Sequence, residues 1–261
     1  ELPLWGRGLG RRERRARALA ALARFGIEPL ARRDAATLSG GERRRLALAR
    51  CFATDPAALL LDEPFDDLDA AGRESLARDL VRAIHETPVA VALVTHELRQ
   101  ALLLADRVAL LRGGALLQCG PRDEVLRHPV DGGAAAAVGM SNWFEGRVAA
   151  RDADGLARIE LGSGAVLRAA TPLAIGSAVH VGFRPEHVKI DPDGADPDPM
   201  GEAQIEELRS DGVVVTARIE CAGLRVHTHL LAGRGLGHTL QKGSRVRLSV
   251  RPEHVHAVPA S

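Results

Sequence analysis

The chain has 261 residues, 46% of them hydrophobic and 26% charged, with a formal net charge of +1. That is the composition of an ordinary folded protein, with apolar material for one large domain or two modest ones. No apolar run approaches the ~18 residues needed to cross a bilayer, the opening residues do not read as a signal peptide, and three scattered cysteines (Cys51, Cys119, Cys221) without a C-x-x-C pair point to reduced thiols in the cytosol.

Residues 1–56 read as helical. The first 50 residues hold 13 arginines against five acidic residues. A basic segment can mean nucleic acid, but the chain has no tyrosine, its aromatics amount to 3%, and no stacking platform is visible. In RRERRARALAALARF (11–25), Leu19, Leu22 and Ala23 mark one apolar face with arginines around it. That is a solvated helix face, and no nucleic-acid partner is expected.

The stretch TLSGGERRRLALAR (37–50) opens a second helix after Gly41, because Leu46, Ala49 and Ala53 recur at helical spacing. The first N–H groups of a helix lack internal partners and carry partial positive charge, so a Ser-Gly-Gly turn there is a ready anion site. Ser39 can equally cap the helix, with Glu42 completing a capping box three residues on. The two roles are compatible.

AALLL (57–61) is a short apolar strand ended by Asp62-Glu63-Pro64. A helix over 74–86, a Val-rich strand over 89–94 ending in Thr95-His96-Glu97, a helix over 97–105 and strands over 107–112 and 115–118 follow. Unbroken apolar strands alternating with helices imply a parallel α/β sheet. Carboxylates at a strand end can hold Mg²⁺ through water, and a neighbour can orient or deprotonate an attacking water. Pro64 biases Glu63 toward an extended conformation. His96 could donate a proton to a phosphate oxygen or cap the next helix.

After HPVDGG (128–133) the pattern changes to alternating residues with frequent glycines. GSAVHVGFRPEHV (176–188) and GSRVRLSVRPEHV (243–255) agree at eight of 13 positions, 67 residues apart. Val179, Val181 and Phe183 alternate like Val246, Leu248 and Val250, as half-buried strands do. The polar connector DPDGADPDPMG (191–201) separates two copies of a small β module, at about 142–190 and 202–257. His227 and His229 are expected to share one strand face, and His254 and His256 another; solvent-facing histidines fit them better than a metal site.

The series LSGGE (38–42), LLLDEP (59–64), DDLD (66–69) and VTHE (94–97) resembles, motif by motif and in order, the ATP-binding subunits of ABC transporters. The resemblance covers about residues 1–140, an ATPase domain with a parallel sheet and a helical subdomain. Residues 141–261, with NWFEGRV (142–148) and the twin RPEHV segments, resemble the C-terminal OB-like TOBE barrel of importer ATPases. By this resemblance Asp62 helps hold Mg²⁺ through water, Glu63 is the general base for water attacking the γ-phosphate of ATP, His96 contacts that phosphate, and Asp69 signals across a dimer. Ser39, Gly40, Gly41 and Glu42, the last where Gln is commoner, would meet ATP held by the opposite subunit. The resemblance implies a head-to-tail homodimer docked on transmembrane permease subunits at the cytoplasmic face of the bacterial inner membrane. Those subunits would be served by a periplasmic or extracellular solute-binding protein, with molybdate, tungstate or a similar oxyanion as cargo.

The pattern G-x-x-x-x-G-K-[ST] is absent: the only lysines are Lys189 and Lys242, and neither follows a glycine. The glutamine loop is missing too, and ELPLWGRGL looks like family sequence just downstream of it. The expectation is a partial ATPase domain that binds ATP poorly alone. Two rivals follow, a regulatory or complementing subunit without ATPase activity of its own and a small-ligand sensor built on the β modules.

Overall fold

In a computed structural model of the chain, the described residues are 2–162, 164–191, 198–232 and 240–260, so most of the 191–201 connector lies outside them. The chain divides into two compact units, residues 1–105 and 106–261.

The first unit holds α1 (Arg11–Arg24), α2 (Gly40–Phe52), β1 (Ala58–Asp62), α3 (Ala70–His85), β2 (Ala90–Val94) and α4 (Leu98–Leu104). The helical reading of residues 1–56 thus resolves into two helices. Gly26 ends α1: at φ +69° it turns left-handed, its N–H bonds to Ala23 and that of Ile27 to Leu22. This double reversal satisfies the last carbonyls and is available at low cost only to glycine. β1 and β2 pair in parallel from Ala58↔Ala90 to Asp62↔Val94, as their apolar runs imply. One sheet face buries Leu59 and Leu61 in a core with Phe25, Phe52, Phe65, Leu76 and Leu80. Burying such a side chain contributes roughly 1.5–3 kcal/mol. The other face presents Leu60, 84% exposed, and Val94, 55% exposed. Arg45 ties the helices together, pairing with Asp79 and donating to Ser75 Oγ at 2.8 Å and to the Phe25 carbonyl at 2.9 Å.

The second unit begins with the antiparallel hairpin β3 (Arg107–Arg112) and β4 (Ala115–Pro121), closed by Gly113-Gly114, both at positive φ. Two-residue hairpins favour glycine there because both central residues turn left-handed. The short helices α5 (Arg122–Arg127) and α6 (Gly132–Ala137) follow, and they have no clear signal in the sequence. Then come ten strands, β5 (Asn142–Arg151), β6 (Ala157–Leu161), β7 (Val166–Ala169), β8 (Ala178–Phe183), β9 (Lys189–Asp191), β10 (Pro199–Ser210), β11 (Val214–Cys221), β12 (Leu224–Leu231), β13 (Arg245–Ser249) and β14 (His256–Pro259).

These strands form two five-stranded sheets, in the orders β14-β8-β5-β6-β7 and β9-β13-β10-β11-β12. The orders are the same pattern written twice. Each module supplies four strands to its own sheet and its fifth to the other: β9 pairs with β13, and β14 with β8. The crossing follows each RPEHV segment, which folds as a 3-10 turn with proline at its start. Both modules therefore share one core, in which Val148, Ile159, Val181 and Phe183 of the first lie with Ile205, Ile219, Val226 and Leu248 of the second.

Candidate functional site

β1 and β2 end side by side, and the chain leaves both at the same level. The Glu63 N–H adds one more rung by donating to the Val94 carbonyl at 3.0 Å. The chain then reverses: the Asp66 N–H donates to the Glu63 carbonyl at 3.3 Å, with Glu63 at φ +42° and Asp67 at φ +62°. Glu63 is thus left-handed, which corrects the extended conformation expected from Pro64. Proline disfavours the right-handed helical region for its predecessor, and here the tight turn takes the left-handed one instead. Such a conformation in a non-glycine residue costs about 1–3 kcal/mol and is concentrated at functional sites.

This turn aims Glu63 at His96, whose Nδ1 lies 3.0 Å from Glu63 Oε1. The bond to Glu63 and the charges of Glu63, Asp66 and Glu97 raise the His96 pKa above its ordinary value. The second carboxylate oxygen, Oε2, is buried and has no partner among the described residues. Asp66 completes the group: the ligand atoms of Glu63, Asp66 and His96 all lie within 4.8 Å of one another. The sequence reading did not assign Asp66 to this centre. Its signal is the i, i+3 spacing in DEPFDD, which brings the two carboxylates together only once the turn is known.

His96 is braced from below. The Glu97 N–H donates to Thr95 Oγ1 at 3.1 Å, Thr95 Oγ1 donates to Gln100 Oε1 at 2.6 Å, and Arg73 of α3 pairs with Glu97 at 3.1 Å. Asp62 stands exposed at the end of β1. Asp69 caps α3, accepting from the Gly72 N–H at 2.8 Å.

Ser39 caps α2 in a complete capping box. Its Oγ accepts from the Glu42 N–H at 3.2 Å, and Glu42 Oε2 accepts from the Ser39 N–H at 2.8 Å. The Ser39 backbone N–H, then the Ser39 hydroxyl, hold the Glu42 pKa below its usual value. Gly40 faces open space, since a methyl group there would meet nothing within 4 Å. A methyl group at Gly41 would come to 3.6 Å from Leu68, and Arg44 donates to the Asp66 carbonyl at 3.3 Å. The glycine turn and the 66–69 segment are therefore neighbours.

An orphaned carboxylate oxygen beside a histidine, an exposed carboxylate one residue earlier at the end of β1 and an open helix N-terminus fit a phosphate ester with its cation. The nearby carboxylates are hard oxygen donors of the kind Mg²⁺ takes.

Of the two expected histidine pairs, one shares a strand face and the other does not. His227 and His229 do share the outer face of β12, while Val226 and Thr228 point into the core. His254 and His256 do not share a strand face, because His254 belongs to the 3-10 turn that precedes β14.

The pattern of the ABC transporter family matches residues 5–66, and that of the TOBE domain matches residues 181–258. An sn-glycerol-3-phosphate import ATP-binding protein of Chromobacterium violaceum is 33% identical over 258 residues, 97% of this chain and 67% of that protein. A molybdate/tungstate import ATP-binding protein of Pyrococcus horikoshii is 30% identical over 237 residues, 90% of this chain and 66% of that protein. An Fe(3+) ions import ATP-binding protein of Pseudomonas fluorescens is 32% identical over 225 residues, 86% of this chain and 61% of that protein. Among solved structures, cbiO1 of Clostridium perfringens, part of the ABC transporter complex cbiONQ, is 32% identical at a TM-score of 0.43, covering 46% of this chain and 48% of that one. The chain spans about two thirds of the length of the curated relatives that match most of it. With its signature turn, its paired strand ends and its doubled β module, the chain belongs to the ABC transporter family, among the import ATP-binding proteins that carry a TOBE domain.

Proposed function

We propose that this chain is the ATP-binding and hydrolysing subunit of a bacterial importer, with an ATPase part up to about residue 140 and a TOBE part beyond it. The observation that carries this reading is the pair of Glu63 Oε1 and His96 Nδ1 at 3.0 Å beside a buried, unpartnered Oε2. A carboxylate in that position accepts the proton of the attacking water, and an adjacent histidine with a raised pKa donates a hydrogen bond to a γ-phosphate oxygen. Asp62 would hold Mg²⁺ through water; when bound, the ion neutralises charge developing on the phosphates.

The signature turn at Ser39, Gly40, Gly41 and Glu42 serves ATP held by a second copy. Its capping box occupies the Glu42 N–H, the N–H groups of Gly40 and Gly41 lack partners within the helix, and Gly40 leaves room for an anion. Asp69, which directly follows the Leu68 that packs beside Gly41, carries the state of one site to the other. Two such chains close head to tail and dock on permease subunits at the cytoplasmic face of the membrane, supplied by a solute-binding protein. No helix among the described residues is long and apolar enough to span a bilayer, in keeping with a peripheral position. For the cargo we retain an oxyanion of the molybdate or tungstate kind, supported by NWFEGRV and by the Pyrococcus relative; relatives named for glycerol 3-phosphate and iron match at similar identity.

A second reading is a subunit that complements a partner without hydrolysing ATP itself, the phosphate cradle of backbone N–H groups and a lysine being supplied by that partner. The test is phosphate release by this chain assembled with its permease subunits in vesicles. Turnover that Glu63→Gln abolishes supports the first reading; no turnover until a partner ATPase subunit is added, and then turnover indifferent to Glu63→Gln, supports the second.

A further inference from the structure

The loop after α5 and the strand β14, both in the second unit, bring together two histidines 128 residues apart. His128 Nδ1 lies 3.3 Å from His256 Nδ1, with the rings edge to face at 5.0 Å. On its other side, His256 Nε2 lies 3.0 Å from the Pro129 carbonyl. A carbonyl can only accept, so Nε2 carries the proton and Nδ1 of neutral His256 offers its lone pair toward His128. One short loop therefore grips both nitrogens of the same ring.

The loop is held for this purpose from three directions. The His128 N–H donates to the Glu124 carbonyl at 2.8 Å. The Gln118 side chain donates to the His128 carbonyl at 2.9 Å and accepts from the Val130 N–H at 3.1 Å. His128 is exposed, His256 is half-buried, and the Trp143 ring lies 6.4 Å from that of His256.

We propose that His128 and His256 form a two-histidine site for a late first-row divalent ion of the zinc, nickel and copper class. Two nitrogens each about 2.05 Å from a tetrahedral ion stand about 3.3 Å apart, the separation found here. The Pro129 carbonyl on Nε2 is the outer partner that metal-bound histidines characteristically have, setting tautomer and ring orientation. Imidazole nitrogen selects these ions over Mg²⁺ or Ca²⁺, so the site differs in chemistry from the carboxylate centre at Glu63. Water fills the remaining positions on the exposed His128 side. Bound metal would cross-link the 128–130 loop to β14, the strand that closes the first sheet.

The experiment titrates the full chain with ZnCl₂ and NiCl₂, following heat, and with CuCl₂, following Trp143 fluorescence in a Trp5→Phe background. One ion per chain that His128→Gln removes is expected, with Cu²⁺ quenching Trp143; an ion removed by His96→Gln instead belongs to the Glu63 centre. His128→Gln, an exposed change, should weaken binding about tenfold or more while leaving the metal-free melting temperature unchanged. His229→Gln, an exposed histidine elsewhere, should leave binding intact. Binding unaffected by His128→Gln, or no saturable ion below 100 µM, overturns the proposal. Should His128→Gln alter the fold, ¹H–¹⁵N imidazole spectra of the unmodified chain decide: Zn²⁺ must shift the Nδ1 resonances of His128 and His256 together, and their indifference overturns it.

Discussion

His187 of the first module lies flat on His254 of the second, with ring centroids 3.8 Å apart and planes inclined by 17°. These are the same residue of the repeated RPEHV segment, and each lies two residues before the strand that crosses to the other sheet. Burial, then the neighbouring charge of His254, holds the His187 pKa below its usual value, and its Nδ1 is buried with no partner among the described residues. Two imidazolium rings could not stack this closely.

The first prediction concerns pH. Below about 6.5 the unfolded chain protonates this histidine while the folded chain resists until lower pH. The contribution is therefore fully present above the unfolded pKa and is lost as pH falls through the folded one. Stability measured by urea should fall with acidity across that window, and His254→Ala should raise the His187 pKa, read by ¹H NMR, by relieving both burial and charge. A titration of His187 at or above 6.5 in the unmodified chain would contradict this.

Glu63→Gln preserves shape and removes the base. In an assembled transporter, hydrolysis should drop by ~10²–10⁴-fold while ATP binding persists. A rate within about threefold of the unmodified chain would remove Glu63 from that role.

Ser39 separates capping from recognition. Ser39→Ala removes the acceptor for the Glu42 N–H and should cost about 1 kcal/mol in a melting experiment. Ser39→Arg fills the helix N-terminus and should block ATP-driven closure of two copies as well. Mixed with a partner defective in its phosphate cradle, the Ser39→Arg chain should regain part of the activity, because one composite site then carries both defects and the other neither. A mixture that stays inactive although both chains fold and pair argues against recognition in trans.

Asn142 clamps the two modules. It is fully buried, donating to the His227 carbonyl at 2.9 Å and accepting from the His227 N–H at 2.7 Å, so β5 and β12 are joined by a side-chain amide. Asn142→Leu leaves both backbone groups unpaired, at about 1–3 kcal/mol each. Chemical denaturation should register the loss, and Asn142→Asp, whose ionised carboxylate cannot donate to the His227 carbonyl, should lose more at neutral pH than at acid pH.

Much of this protein was legible in the chain because its signals are local. LSGGE, LLLDEP, DDLD and VTHE are contiguous motifs, the apolar runs at 57–61 and 89–94 announce parallel strands, and the RPEHV repeat announces two β modules. Ser39 and Glu42 declared a capping box by spacing alone, since a helix brings i and i+3 together without help from the rest of the fold. The tertiary structure decided what depends on register between distant segments. The turn that turned Glu63 left-handed and drew in Asp66 answers to the Val94 carbonyl on another strand. The exchange of β9 and β14, the stacking of His187 on His254 and the meeting of His128 with His256 rest on sheet pairings across tens of residues or more. Sequence periodicity fixes which face of a strand is buried, but only the assembled core chooses the neighbour that each strand will have.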